Sequence, residues 1–570
     1  MKTNLKVLPF SRAGSYMVLS ELDGNFQKVG AVKGLFLRTV HGHAKISPLI
    51  AQMIPTKNGE PAAYETSIEH AALLLEMDGG YIEICYDDCD TMLIRGAGEG
   101  IGLTLDFLTN SGAYDYIYEY PANDRMYYMV NCYKNNCRYL VNCVYGDIEV
   151  DQKWEESSSL YSKLHFGGKD GFFFVLREIE TEWDHSWKEY DFEECRTNTE
   201  KEFNDFYERM PKGPERYADT AWRASYLNWS TIVKKDGFLT RDAMFMSKNW
   251  MTNVWSWDHC FNAIASSYHY PEMAWDQFMI MFDVQDKTGV LPDSINDSHI
   301  VWNYCKPPIH GWALRLMMEN MELTEAQMKE AYDRLTKWTN WWFTYRDYDK
   351  DGFCEYNHGN DSGWDNSTAF STLPPVATPE LQCFLTVQME VLSDLAGKMG
   401  MEAEAKAWMD RSRELLDKIL KHCFKDDLPV VLKSGTHEII ENNSLLPYIS
   451  IVLGKSLPES IRKKMAEVLA SDKFLTDYGY ATESPHSPYY RSDGYWRGPI
   501  WAPSTMLLLD GLYRCGETEL VRAAAEKFAA MTTKSGFAEN FDALTGEGLR
   551  DRAYTWTSSA FLVMSHKYLQ

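Results

Sequence analysis

The strongest constraint on this chain is a change of hydrophobic period near Tyr217. Up to about residue 200 the apolar residues come in short runs: IEHAALLLEM, YIEICYDD, TMLIRG, IGLTLDFLT, YDYIYEY, RMYYMVNCY and FFFVLREIETEW. Turn sequences such as MDGGY, GAGEG and GKDG separate them. β-Branched and aromatic side chains suit a pleated, half-buried surface, and Gly and Asp reverse the chain with little strain, so this part predicts a β-sandwich. From Tyr217 onward, apolar residues recur three or four apart in long segments. These include ERYADTAWRASYLNWSTIV, TEAQMKEAYDRLTKWTNWWFTYR, TPELQCFLTVQMEVLSDLAGKMG and EAEAKAWMDRSRELLDKILKHCF. SIRKKMAEVLASDKF, APSTMLLLDGLYRCG, TELVRAAAEKFAAMT and YTWTSSAFLVMSHKYL continue the series. That period predicts amphipathic helices, and six antiparallel pairs closed into a ring would make an (α/α)6 barrel. Periodicity predicts the helices and is silent on closure.

At 570 residues the chain is too long for one ordinary core. The expectation is a mostly α protein with a β-rich domain over 1–205 and a barrel over 206–570. A polar linker ending in a Pro/Gly breaker is expected near TNTEKEFNDFYERMPKGPE. The formal charge of -25 argues against nucleic acid or an anionic membrane as partner. It fits a neutral small-molecule substrate, and equally a protein whose acidity only keeps it soluble. The opening MKTNLKVLPFSRAGSYMV lacks the apolar core of a signal peptide, and no apolar run reaches the roughly 20 residues of a membrane span. A cytoplasmic location is therefore expected. The 12 cysteines match no zinc signature, although Cys85 with Cys89, or Cys132 with Cys137, could be neighbours on paired strands. Reduced, buried thiols are the expectation. No heptad pattern or long exposed apolar stretch announces an oligomeric interface.

Four segments interrupt the helices with mixtures of Trp, Tyr, Asp, Glu, Arg and Asn. They are NWMTNVWSWDHCFNA (249–263), NHGNDSGWDNSTAF (357–370), SDGYWRGPIWAPS (492–504) and GFAENFDALTGEG (536–548). A sugar has apolar C–H faces and a rim of hydroxyls, so a site for it needs aromatic surfaces with planar, bidentate polar groups. Trp255, Trp257, Trp364, Trp496 and Trp501 all fall in these segments. Cleaving a glycosidic bond further requires two carboxyl groups, one protonated and one ionised. The loops offer Asp258, Glu355, Asp361, Asp365, Glu483, Asp493, Glu539 and Asp542. Asp beside Gly or Asn is also a turn former or helix cap, so residue type alone does not choose among the eight.

NVWSWDHCFNA, GNDSGWDNST, GYWRGPIWAP and FAENFDALTGEG, in that order, resemble the signature set of glycoside hydrolase family 63. That family includes the processing α-glucosidase of glycoprotein glycans and many bacterial α-glucosidases, and GWDNS also resembles the acid-bearing motif of the trehalases. The resemblance covers about residues 220–570; in the β-rich part it is architectural only. It implies that Asp365 is the general acid, Glu539 the general base, and that inversion occurs in one step without a required cofactor. It further implies that Trp255, Trp257, Asp258, Trp364, Trp496 and Arg497 grip the terminal sugar. Asp258 precedes the run Phe261, Ile264, Ala265, Tyr268, which places it near a helix N-terminus where the dipole favours its ionised form.

A second pattern, RDYDKDGFCEYN, sets Asp347, Asp349, Asp351 and Gly352 in the spacing of a Ca²⁺-wrapping turn, with Glu355 as a further ligand. His358 stands where an EF-hand needs Glu, so the alternatives are a different structural Ca²⁺ site or a plain Asp/Gly turn. Two rival functions stay open. An epimerase on the same barrel would use His259, His310 or His358, and a carbohydrate-binding protein would have lost catalysis. Within hydrolases, a terminal α-linked glucose of a di- or oligosaccharide is the first expectation. Trehalose and glucosylglycerate- or mannosylglycerate-type glycosides are the alternatives. The loops KSGTHEIIENNS and TESPHSPYYRSDG are expected on the leaving-group side.

Overall fold

The computed structural model describes residues 4–26, 30–44, 47–69, 71–107 and 114–570. His70, Leu108 and Thr109, parts of two expected strands, lie outside these. The N-terminal part is built from β1 (Met17–Phe26), β2 (Gly30–Thr39), β3 (Leu49–Lys57), β4 (Glu60–Pro61) and β5 (Tyr64–Glu69). It continues through β6 (Ala72–Met77), β7 (Gly80–Asp88), β8 (Thr91–Gly98), β9 (Ile101–Asp106) and β10 (Tyr116–Ala122). It closes with β11 (Arg125–Cys132), β12 (Cys137–Tyr145), β13 (Asp147–Glu155), β14 (Ser158–Gly167) and β15 (Phe172–Ile179). One antiparallel sheet runs β1-β2-β3-β9-β14-β13 with β4 beside β3; the other runs β10-β11-β12-β15-β8-β7-β6-β5. IEHAALLLEM, read as one strand, is the end of β5 and all of β6, two strands of a hairpin. Cys132 does pair with Cys137 across β11 and β12.

Side chains alternate across each strand, and β15 shows the result. Phe172, Phe174 and Leu176 enter the core between the sheets, while Phe173 and Val175 face outward onto Phe192 and Cys195. Those last two belong to α1 (Phe192–Glu208), which corrects the expectation of a polar linker there. Asp191 caps α1 by accepting from the Glu193 and Glu194 amides, and Phe203 packs against Tyr226 and Trp229, with ring centroids 5.7 and 5.4 Å away. The segment is polar on one face only, and its other face joins the two parts of the molecule.

The remaining helices are α2 (Ala218–Thr231), α3 (Asp258–Ser266), α4 (Pro271–Asp283), α5 (His310–Asn320), α6 (Glu325–Tyr345) and α7 (Pro379–Lys398). After them come α8 (Glu402–His422), α9 (Glu459–Ala470), α10 (Ala502–Cys515), α11 (Thr518–Ser535) and α12 (Thr555–Tyr568). A 3₁₀ segment, Leu446–Ser456, takes the place of a helix between α8 and α9. Packing closes an inner ring in the order α3, α5, α7, 446–456, α10, α12 and back to α3. The others form the outer layer, so the fold is an (α/α)6 barrel. "Mostly α" describes this barrel alone; the whole chain is a β-sandwich joined to it. No helix among the described residues is long and apolar enough to cross a membrane.

Closure has one consequence for the site. Each of the four aromatic and acidic segments leads into an inner element: 249–257 into α3, 357–378 into α7, 492–501 into α10 and 536–554 into α12. All therefore gather at one end of the ring, where inner-helix N-termini converge.

Candidate active site

Tyr495 is the hub of this end. Burial, and after it the charges of Glu539, Asp365 and Asp258, raise its phenol well above its ordinary value. The Trp501 indole donates to the Tyr495 carbonyl at 2.9 Å, and the Arg550 guanidinium lies 4.8 Å from the Tyr495 ring centre. Around this hub the rings form one body. Trp364 stacks on Trp496 at 4.6 Å, Trp496 on Trp501 at 3.9 Å, and Trp257 meets Trp496 at 6.2 Å and Trp556 at 5.6 Å. Trp257, Trp364 and Trp496 are at most 3% exposed, so their faces are largely spent on one another. They form a rigid wall behind the site and not a set of open platforms. Gly363 (φ +75°) lets the GWD turn lie against this wall, since a Cβ there would come within 2.5 Å of Trp257.

Asn366 staples two of the loops together. Its side chain accepts from the Trp496 amide at 3.0 Å and donates to the Gly494 carbonyl at 3.0 Å, while its own carbonyl accepts from Arg497 Nε at 2.6 Å. Ile500 and Phe541 exchange backbone hydrogen bonds of 2.7 and 2.9 Å, tying the 492–501 loop to the Glu539 segment. Arg497 thus acts on loop geometry, and Trp255, partly buried, sits in a two-residue strand paired with Ser294 and Ile295.

The fold sorts the eight carboxylates. Asp361 is buried and saturated by Arg346 at 2.7 Å and the Cys305 and Asn357 amides. Glu483 accepts from Thr368 and Ser487, both at 2.6 Å. Asp542 closes a turn through the Leu544 amide at 2.8 Å, Glu355 accepts from the Tyr348 amide at 2.8 Å, and Asp493 is an exposed partner of Arg550. Asp258, Asp365 and Glu539 remain, the first and last buried and Asp365 half-buried, and the charges of all three bear on Tyr495.

Burial is the largest influence on all three. It raises Asp365 above the ordinary carboxylate range, opposed first by the charge of Lys306 and helped by Asp293. It raises Asp258 well above that range, again against Lys306. Asp258 does begin α3, and desolvation there works against the ionised form that the helix dipole favours. Glu539 is pushed up to about 7 by burial and then by the charge of Asp551; Arg550 and a hydrogen bond from Tyr495 pull the other way.

Lys306, Asp293, Asp551 and Tyr495 were not singled out from the sequence. Lys306 is 5% exposed, pairs with Asp293 at 3.1 Å and donates to the Asn360 carbonyl at 3.0 Å. Both belong to the loop before α5, which carries Trp302 and Tyr304 among its Asp and Asn residues. Its position before an inner helix is the signal that could have pointed to it. The rival histidines fare differently. His259 and His310 are fully buried, and burial lowers both, His259 to about 4. His358 is exposed and caps a turn through the Asn360 amide.

The candidate Ca²⁺ turn is only partly assembled. Asp349 and Asp351 come together with His437, whose Nε2 lies 2.7 Å from Asp351, and not with Asp347 or Glu355. Asp349 and Asp351 also accept from the Gly435 and Phe353 amides at 2.8 and 2.7 Å. KSGTHEIIENNS, expected beside the leaving group, opens as a hairpin over this turn.

A family model, the mannosylglycerate hydrolase MGH1-like glycoside hydrolase domain, matches residues 251–557, a span that contains Asp258, Asp365, Tyr495 and Glu539. Among curated proteins, the chain is 20% identical to mannosylglycerate hydrolase MGH2 of Selaginella moellendorffii over 401 residues, 55% of this chain and 80% of that one. Among solved structures, the family 63 mannosylglycerate hydrolase of Thermus thermophilus is similar over 60% of this chain and 98% of its own, with TM-score 0.52 and 18% identity. A bacterial glucoamylase complexed with acarbose is similar over 100% of this chain and 95% of its own, with TM-score 0.64 and 12% identity. The last two likenesses concern the fold: the barrel in one case, sandwich and barrel together in the other.

Proposed function

Because the chain belongs to the MGH1-like glycoside hydrolases of family 63, we propose that it hydrolyses a hexose α-linked to a short aglycone, with inversion. The observation that carries this reading is the set of three carboxyls whose charges bear on Tyr495, Asp258 and Glu539 buried and Asp365 half-buried, inside the matched segment. Asp365, raised by burial, holds a proton to donate to the glycosidic oxygen as the C1–O bond breaks. Glu539 removes a proton from the water whose oxygen bonds to C1 from the opposite face. Tyr495 and Arg550 favour its ionised form. Asp258, buried at the start of α3, offers its carboxyl to the hydroxyls of the bound hexose. The products are the free hexose and the aglycone alcohol, and no cofactor enters the balance.

The family and the similar plant enzyme, both named for mannosylglycerate, put glucosyl- or mannosylglycerate first as substrate. A neutral di- or oligosaccharide with terminal α-glucose comes second, on the loop motifs. A panel of α-hexosylglycerates and α-linked disaccharides, followed by NMR of the first-formed anomer, tests substrate and stereochemistry together. The expected first product is the β-anomer, from a hexosylglycerate. Asp365→Asn and Glu539→Gln are each expected to lower kcat by about 10²–10⁴-fold, the usual worth of a positioned acid or base. Release of the α-anomer, or unimpaired hydrolysis by both variants, would refute the mechanism.

A further inference from the structure

We propose that His41, His43 and Asp297 form a divalent-metal site, suited to Zn²⁺, that clasps the β-sandwich to the barrel. The two histidines follow β2, and Asp297 lies in the barrel loop before α5. His41 Nδ1 is 3.2 Å and His43 Nδ1 is 3.6 Å from the same carboxylate oxygen of Asp297, and the three ligand atoms lie within 4.8 Å of one another. Ligands on a tetrahedral Zn²⁺, with bonds of about 2.0–2.1 Å, stand roughly 3.4 Å apart, close to the 3.2 and 3.6 Å from the two imidazoles to Asp297. Asp236 places a further carboxylate 3.7 Å from His41 Nδ1, beside the three-residue group.

The surroundings are those of a metal site. A ligating histidine needs its other ring nitrogen held by an outer partner. His41 Nε2 faces the Glu178 carboxylate at 3.9 Å, and Glu178 is itself held by the Tyr139 hydroxyl at 3.1 Å. Tyr16 stacks on the His41 ring at 3.8 Å, and His43 stacks on it from 4.7 Å. Asp297, 2% exposed at its side chain, is aimed by the Gly42 amide at 2.8 Å and the Ser298 hydroxyl at 2.7 Å. Three carboxylates meet two imidazoles here, a negative balance that a dication offsets. An open pocket lined by His41, Glu178, Asp236, Lys234 and Arg177 borders the His41 side of the group. Two imidazoles with a carboxylate select Zn²⁺ over Ca²⁺ or Mg²⁺, which take oxygen ligands.

The test is titration of chelator-stripped full-length protein with Zn²⁺ by calorimetry. One equivalent is expected, and His43→Gln and Asp297→Asn should each weaken it by at least about 10–100-fold. Asp349→Asn, which breaks the exposed Asp349–Asp351–His437 group, should leave that equivalent in place. If a variant fails to fold, crystals of the unaltered protein grown with Zn²⁺ decide the matter. Anomalous density is expected between the two Nδ1 atoms and Asp297. Absence of stoichiometric binding, binding that survives both ligand variants, or anomalous density elsewhere would overturn the site.

Discussion

Glu539 sits between neighbours of opposite influence, and that makes its role measurable. A base must be ionised, so kcat/KM should fall as the pH drops through its pKa, which burial and Asp551 bring to about 7. Asp551→Asn keeps the shape and removes the charge that raises Glu539, so the acidic limb should move to lower pH. Tyr495→Phe removes a hydrogen bond that favours the carboxylate, so the limb should move to higher pH. Opposite shifts of the two variants in a pH–rate profile would identify Glu539 as the titrating base. Shifts of the same sign, or none, would assign the limb to another group. Neither neighbour could be chosen from sequence. Tyr495 stood inside a quoted motif without a distinguishing feature, and Asp551 acts only because a short hairpin brings its carbonyl 2.7 Å from the Glu539 amide.

At the level of elements, legibility followed burial. Helices α6, α8 and α11 lie in the outer layer, bury one face and expose the other, so their stripes announce them. The inner helices α3 and α5 are short and mostly buried, α3 announcing itself only by the brief run Phe261, Ile264, Ala265, and 446–456 is broken at Gly454, so none of these shows a long two-faced stripe. Helix α1 was misread for a different reason: its few apolar residues are far apart in a polar sequence, yet Phe203 is fully buried. Phe203→Ala should therefore cost about 3–5 kcal/mol, the usual range for a large aromatic lost from a core. A linker residue would cost almost nothing. Denaturant titration followed by fluorescence and circular dichroism distinguishes them, and a loss below about 1 kcal/mol would contradict the packing described for α1.

At the scale of the molecule, the sandwich reaches the site through a short chain of hydrogen bonds. Arg38 on β2 is fully enclosed and donates to the Lys248 carbonyl at 2.7 Å and the Asn249 carbonyl at 3.2 Å. Asn249 Nδ2 and the Trp250 amide each donate to Asp551 at 3.2 Å, and Asp551 stands next to Glu539 in both charge and backbone. Lys248 adds a second anchor, its ammonium held by the Ser15 and Ile232 carbonyls at 2.7 and 3.0 Å. The sandwich thus sets the position of the carboxylate that tunes the base, a coupling invisible to any single motif because its links are more than 200 residues apart in the chain. Arg38→Met keeps the length of the side chain and leaves both carbonyls without their donor. It should lower stability by about 1.5–3 kcal/mol, the worth of a charged hydrogen bond. It should also lower kcat/KM by roughly 10–100-fold, because small misplacements of reacting groups are costly. Assays well below the melting transition separate the two effects. A variant that melts earlier but turns over as fast as the unaltered enzyme would show that the sandwich stabilises the barrel without positioning Glu539.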